Sequence, residues 1–265
     1  YHLIRQSPAN EVARSVSRRY GIPAAQAQED YTGFTDRIQT LLNIPDLDPV
    51  TYLEFDRQEP YTDLTAPFRL DCAITYRQVD MDAAPFAPLE RVKRELSLEE
   101  WQSVLSKAWE AGIPHVVFTG GEPTLRKDLP ELIAHAQQNG QITGMNTNGR
   151  RLKDSGFVGE LVAAGLDHVQ ITLESHDAEI HDHMVGRPGA WEDTVAGVRN
   201  ALSQRLFVMT NTTMLQDNSP YMAETLDFLA ELGVPTVGLN ALIYSGRGKT
   251  VNTGLLESEL SSLLE

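Results

Sequence analysis

Val116-Val117-Phe118-Thr119-Gly120-Gly121-Glu122-Pro123 is the stretch on which the reading of this chain turns. Val116 to Phe118 is a short apolar run, the pattern of a strand buried in a parallel sheet. Two glycines follow at its carboxyl end, where they admit backbone angles closed to other residues and let a neighbour approach the main chain. Glu122 then offers a carboxylate, and Leu129-Pro-Glu-Leu-Ile133 opens a helical pattern. The unit is strand, polar turn, helix.

The same unit recurs on both sides. Strands are expected at Phe68 to Thr75, His115 to Thr119, Ile142 to Asn146, His168 to Leu173, Leu206 to Thr212 and Thr236 to Ile243. A helix precedes the second of them. It opens on the capping box Ser97-Leu-Glu-Glu100 and carries Trp101, Val104, Leu105, Ala108 and Trp109 on one face. Further helices are expected at about Leu129 to Asn139, Phe157 to Ala164, Trp191 to Ser203 and Tyr221 to Leu232. Strands separated by helices require right-handed crossovers and parallel pairing. The fold class is therefore α/β, a partial parallel (β/α)6 barrel of the TIM type. A doubly wound open sheet is the competitor, but no Gly-x-Gly-x-x-Gly follows the first strand, which speaks against a dinucleotide-binding version.

In such a barrel the site lies at the carboxyl ends of the strands. Those ends carry Tyr76 and Arg77, then Thr119 to Pro123, Asn146-Thr147-Asn148-Gly149, Thr172-Leu173-Glu174-Ser175-His176, Asn211-Thr212-Thr213, and Tyr244 to Gly248. Asn and Gly are also what strand-to-helix turns require. Six polar ends together point to a pocket for a small ligand with amino, carboxylate and hydroxyl groups.

The Phe-Thr-Gly-Gly-Glu-Pro string resembles the S-adenosylmethionine-binding turn of the radical S-adenosylmethionine enzymes. The resemblance runs from about Phe68 to Gly248 and implies roles for particular residues. Gly120, Gly121 and Glu122, with Pro123, would hold the methionine amino group. Glu174 and the Asn146 to Asn148 segment would face the ribose or carboxylate. Asn211 and the backbone near Ile243 would face ribose and adenine, and Phe86 would set its backbone against adenine. The family's arginine that holds the carboxylate is replaced by Val185, with Arg187 close by. The family also places a [4Fe–4S] cluster on Cys-x3-Cys-x2-Cys after the first strand. Here Gln78, Asp82 and Pro85 fall on those positions, so the loop keeps its length without its ligands. An amide, a carboxylate and an imino acid do not replace three soft thiolates. The one cysteine, Cys72, lies within an apolar strand and is expected to be buried and inert.

Two function classes follow. One is an enzyme-fold protein whose relatives modify peptides or assemble cofactors, with S-adenosylmethionine as ligand and no working cluster. The other is a scaffold, a pseudoenzyme that holds a peptide or partner. The sequence reads equally as a natural pseudoenzyme or as a version whose cysteines were replaced. The loop residues His176, Asp177, His181, Asp182 and His183 form a minor metal candidate, against the plainer reading of a solvated acidic-histidine loop.

Residues 1–49 form a helical segment, 50–67 a connector and 68–265 the barrel. Val12, Val16 and Tyr20, then Tyr31, Phe34, Ile38, Leu41 and Leu42, fall at helical spacing on either side of Gly21-Ile-Pro23. This two-helix pattern resembles part of a PqqD-type peptide-recognition domain. The strand hairpin of that domain is lacking, so the helices are expected to pack on the barrel and to bind no peptide alone. The substrate is expected to be a small molecule or a peptide. A net charge of −15 and a pI near 4.8 argue against a nucleic-acid partner, which needs clustered cations. With no apolar run long enough to span a bilayer and no signal peptide, a cytoplasmic location is expected.

Overall fold

The computed structural model describes residues 8–53, 66–77, 94–204, 206–243 and 251–264. The chain divides into two compact units, residues 1–65 and 66–265.

In the first unit α1 (Ala9–Tyr20) and α2 (Ala24–Asn43) form a helical pair, followed by the short α3 (Pro49–Tyr52). The break is set by Gly21, whose left-handed backbone caps α1 by donating to Ser17 O, and by Pro23, which cannot continue a helix but can start one. Val12, Ala13 and Ala27 are buried, whereas Tyr20, Phe34 and Leu42 are exposed. The expected apolar stripe is therefore only partly covered.

The second unit alternates β1 (Arg69–Thr75), α4 (Leu98–Glu110), β2 (His115–Gly120), α5 (Leu129–Asn139), β3 (Ile142–Thr147), α6 (Ser155–Ala164), β4 (His168–Thr172), α7 (Ala178–Val185), α8 (Ala190–Ser203), β5 (Phe207–Met214), α9 (Met222–Glu231) and β6 (Thr236–Ala241), with α10 (Glu257–Leu264) beyond. The strands form one sheet in the order β1-β2-β3-β4-β5-β6, and every pairing is parallel. Sequential order means that the sheet winds one way. A doubly wound sheet would reverse its order part-way, so that competitor is excluded.

Toward β4 and β5 one face of the sheet is dry and the other more open, whereas β2 and β3 are buried on both faces at their centres and β6 has no buried residue. On β4 and β5 the residues alternate strictly, with Val169, Ile171, Val208, Thr210 and Thr212 buried and their neighbours only half-buried or exposed. The dry face packs on the helices. Val116, Phe118, Met145, Val169, Ile171 and Val208 meet Leu105, Leu132, Ile133, Leu161, Val198 and Leu229 in one core. The Ser97–Glu100 capping box forms as expected and fixes the start of α4. Cys72 sits on this dry side beside Ile74, 2% exposed, and burial pushes its thiol up to about 12.

The opposite face lines the inside of the barrel. Near its floor, His115 and His168 meet Nε2 to Nε2 at 2.8 Å across β3. Gly144 makes this contact possible, because a Cβ there would collide with the His168 ring. Arg69 and Asp71 close the same level as a bidentate ion pair.

Candidate functional site

The mouth is assembled from the carboxyl ends of the strands, beginning with the turn after β2. The amide of Gly121 donates to Thr75 O and that of Glu122 to Arg77 O, both at 2.8 Å, so the ladder between β1 and β2 continues past the strand ends. A Cβ at 120 or 121 would strike the carbonyl oxygens of Thr75 and Arg77, and Gly120 has φ +140°. The two glycines are needed for this close approach of main chains. Pro123 is buried and starts the turn Pro123–Leu125.

Glu122 is 3% exposed, and both carboxylate oxygens are engaged within the protein. Oε1 accepts from the Thr124 amide (3.1 Å), Thr124 Oγ1 (2.7 Å) and Thr147 Oγ1 (2.7 Å), and Oε2 accepts from the Asn148 amide (2.9 Å). The side chain thus braces the end of β2 to the end of β3. What this turn leaves for an ammonium group is the peptide carbonyls of its two glycines, that of Glu122 accepting from the Leu125 amide. Asn148 is likewise engaged, its Oδ1 accepting from the Arg150 amide and its carbonyl from Thr194 Oγ1. Asn146, two residues earlier, is half-buried on the inner face, and its side-chain amide has no partner among the described residues.

Glu174 follows β4. Its Oε2 accepts from the Thr213 amide at 2.7 Å, its own amide donates to His181 Nδ1, and its carbonyl accepts from Asn218 Nδ2. Desolvation raises its carboxyl to about 7, against the hydrogen bonds from Thr213, which lower it. Asn211 on β5 accepts at Oδ1 from Asn240 Nδ2 of β6. Ile243 lies past β6 and is 76% exposed. Asn146, Glu174 and Asn211 therefore share the mouth with the Gly120–Glu122 turn. Gln78, Asp82, Pro85 and Phe86 lie outside the described residues.

The histidine loop differs from its expectation. Residues 178–185 form α7, capped by Asp177, whose Oδ1 accepts from the Glu179 and Ile180 amides. His181 turns inward, 1% exposed, while His176 bonds Thr225 and His183 lies 3.8 Å from Asp217. His181 and His183, two residues apart on α7, point to different faces, and His176 precedes the helix. Among the described residues no group of three or more His, Cys, Asp or Glu is placed to hold a metal ion.

Two residues that the sequence reading passed over hold the top of β1. Glu95 Oε1 accepts from Thr75 Oγ1 (2.6 Å) and the Tyr76 amide (2.9 Å). Arg126, 5% exposed, donates to Ile74 O and Leu96 O and forks onto Asp128. The spacing Arg126-Lys-Asp128 was the available signal, since a fork-to-carboxylate pair is what lets a guanidinium be buried.

Several buried groups make stability depend on pH. Desolvation lowers His168 and His181 to about 4, and lowers His115 as well. Unfolded histidine titrates near 6.5, so the unfolded chain takes up protons first as the solution is acidified. Their stabilisation is complete above about pH 6.5 and is lost as the pH falls toward 4. Glu174 acts oppositely, its contribution being present below the unfolded carboxylate value and lost as pH rises through about 7. The histidines outnumber it, so these groups together lower the urea midpoint on going from pH 6.5 to 5. His168→Phe flattens that dependence and Glu174→Gln steepens it; unchanged slopes in both variants would contradict the assignment.

With strand order, mouth and single cysteine in place, comparison with known proteins settles the family. Residues 72–229, more than half of the chain, match the Radical SAM superfamily. The chain belongs to that superfamily. The Fe-coproporphyrin III synthase of Methanosarcina barkeri is 34% identical over 164 residues, which is 62% of this chain and 41% of that protein. The PqqA peptide cyclase of Granulibacter bethesdensis is 32% identical over 170 residues, 64% of this chain and 45% of that protein. The chain thus spans less than half the length of these curated relatives. Among solved structures, Streptococcus suis SuiB bound to its precursor peptide SuiA superposes with a TM-score of 0.66 at 16% identity, covering 91% of this chain and 57% of SuiB. anSMEcpe with bound AdoMet and the Kp18Cys peptide gives 0.60 at 13%, covering 74% and 57%. These two show the same fold. Among the described residues of this radical SAM chain, no helix is long and apolar enough to cross a membrane.

The family is built around S-adenosylmethionine and an iron–sulfur cluster. The cluster does not fit this chain. Its one thiol is buried on the helix side of β1, away from the mouth, and is held protonated. Cluster ligation needs several thiolates.

Proposed function

We propose that this radical SAM chain binds an S-adenosylmethionine-like ligand at the barrel mouth and does not cleave it reductively. The single observation that carries this reading is Cys72, the only cysteine, which faces away from the mouth. A cluster would supply the electron and would chelate the methionine amino and carboxylate groups; without it, the protein's own polar groups hold the ligand. The peptide carbonyls of Gly120 and Gly121 suit an ammonium, and Asn146, Glu174 and Asn211 suit ribose hydroxyls. The partner at the mouth is a peptide or a cofactor precursor, in line with relatives named as a peptide cyclase and as synthases of haem-type cofactors. A scaffold that holds a peptide with no nucleoside ligand is the second reading, favoured by the open inner face of the sheet.

Anaerobic calorimetry with S-adenosylmethionine separates the two. Saturable binding that weakens about tenfold in Glu174→Ala, the effect of losing one hydrogen bond to a charged or strongly polar partner, supports the first. No heat at millimolar ligand favours the scaffold. Iron and sulfide analysis after anaerobic reconstitution should find no stoichiometric cluster, and a full complement of iron would overturn the reading.

A further inference from the structure

We infer that the floor of the barrel is a two-histidine site for a late first-row divalent ion (nickel, copper or zinc), separate from the mouth. His115 opens β2 and His168 opens β4, and their Nε2 atoms lie 2.8 Å apart across β3. The ring centroids are 5.0 Å apart, close to the separation expected when the two nitrogens point straight at each other. Both therefore converge on one position between them, where one ring now donates its Nε2–H to the other. A metal ion is the other acid that two imidazole nitrogens can share. Two nitrogens bound at about 2.0–2.1 Å to one ion, at right or tetrahedral angles, stand roughly 2.9–3.4 Å apart. The rings need only part by a fraction of an ångström and tilt, and the outer torsion of histidine is broad enough to allow it. Gly144 leaves the room, since a Cβ there would collide with Cε1 and Nε2 of the His168 ring.

The surroundings suit a cation on neutral ligands. Imidazole binds a metal only when unprotonated, and burial holds both rings toward that form. The charged groups around the pair are Arg69, Asp71 and Asp167, two carboxylates against one guanidinium. Asp71 is forked by Arg69, and Asp167 Oδ2 accepts from the Thr143 amide, so these carboxylates supply field rather than ligand atoms. The ion takes two protein nitrogens and fills the rest of its shell with water, in keeping with the lack of any three-donor group among the described residues. Both rings are half-buried, which leaves a small ion a way in. Magnesium, which prefers oxygen ligands and gives up its waters reluctantly, gains nothing from this pair. A bound ion clips together the amino ends of β2 and β4, the strands whose carboxyl ends lead to the glycine turn and to Glu174.

The test uses the full chain without an affinity tag, stripped of metal by a chelator. Calorimetry with Ni2+ at about pH 7.5, where both imidazoles are unprotonated, should show one saturable site per chain, and Mg2+ should give no heat. His115→Asn and His168→Asn each leave a single imidazole. Each should weaken nickel binding roughly a hundredfold, the gain that a second ligand held in place provides. Ni2+ should also raise the melting temperature of the parent and leave that of either variant unmoved, because the unfolded chain has no placed pair. Melting of the metal-free variants shows that they fold; where one does not, the other carries the comparison. On the parent alone, one equivalent of Cu2+ should show electron-spin coupling to two imidazole nitrogens. Absence of a saturable nickel site, Mg2+ bound as well as Ni2+, nickel affinity unchanged in a folded variant, or copper coupled to one nitrogen alone overturns the inference. S-adenosylmethionine enters none of these measurements, so their outcome leaves the reading of the mouth untouched.

Discussion

Replacing Glu122 by alanine should unfold the barrel's upper rim and lower the melting temperature more than any other single change at the mouth. The carboxylate accepts four hydrogen bonds, from two hydroxyls and two main-chain amides, at a position that is 3% exposed. Alanine leaves the Thr124 and Asn148 amides and two threonine hydroxyls buried without acceptors. Each orphaned buried donor costs about 1–3 kcal/mol, and partial rearrangement brings the sum to roughly 3–5 kcal/mol. For a domain of this size that is a fall of about 10 °C. Glu122→Gln keeps one oxygen as acceptor and should lose about half as much. Thermal unfolding by circular dichroism is the measurement, and a shift in Glu122→Ala of only a degree or two would show that the brace is dispensable. Loss of ligand affinity in this variant would by itself say little about ligand contact, because the turn that carries the peptide carbonyls moves with it.

That result bears on how much the sequence could say. The strand–turn–helix unit at 116–133 was legible, because apolar runs, capping boxes and glycine stops are local signals and parallel winding follows from their alternation. The role of Glu122 was not. A carboxylate at a strand end looks the same whether it faces a ligand or two threonines, the near Thr124 and the distant Thr147. The long-range partner decides, and only the fold brings it close. The histidine segment failed for a related reason. His181 has polar neighbours in sequence and reads as solvated, yet α7 turns it inward, where its Nδ1 accepts the Glu174 amide. Cys72 was read correctly for a local reason: strand parity places it with Ile74, on the side that packs against helices.

Restoring three cysteines should return the cluster. The loop from 78 to 85 keeps the spacing of three and two residues between ligand positions, so Gln78→Cys, Asp82→Cys and Pro85→Cys together recreate Cys-x3-Cys-x2-Cys. Thiolates at that spacing are the donor set a [4Fe–4S] cluster requires, with one iron left for ligand. The parent chain offers an amide, a carboxylate and a proline ring, none of which is a soft anionic donor. Anaerobic reconstitution of the triple variant should therefore give about four iron and four sulfide per chain and a broad brown absorbance, where the parent gives neither. The calorimetric affinity for S-adenosylmethionine should rise with it, because the free iron would take both the amino and the carboxylate group, whereas the proposed site in the parent offers peptide carbonyls to the ammonium alone. Single and double restorations should stay without stoichiometric iron, since two thiolates do not close the site. A triple variant that folds, by its unchanged melting temperature, yet binds no iron would mean that this segment has lost more than its ligands. The chain would then have left cluster chemistry through the whole loop, and the scaffold reading would take precedence.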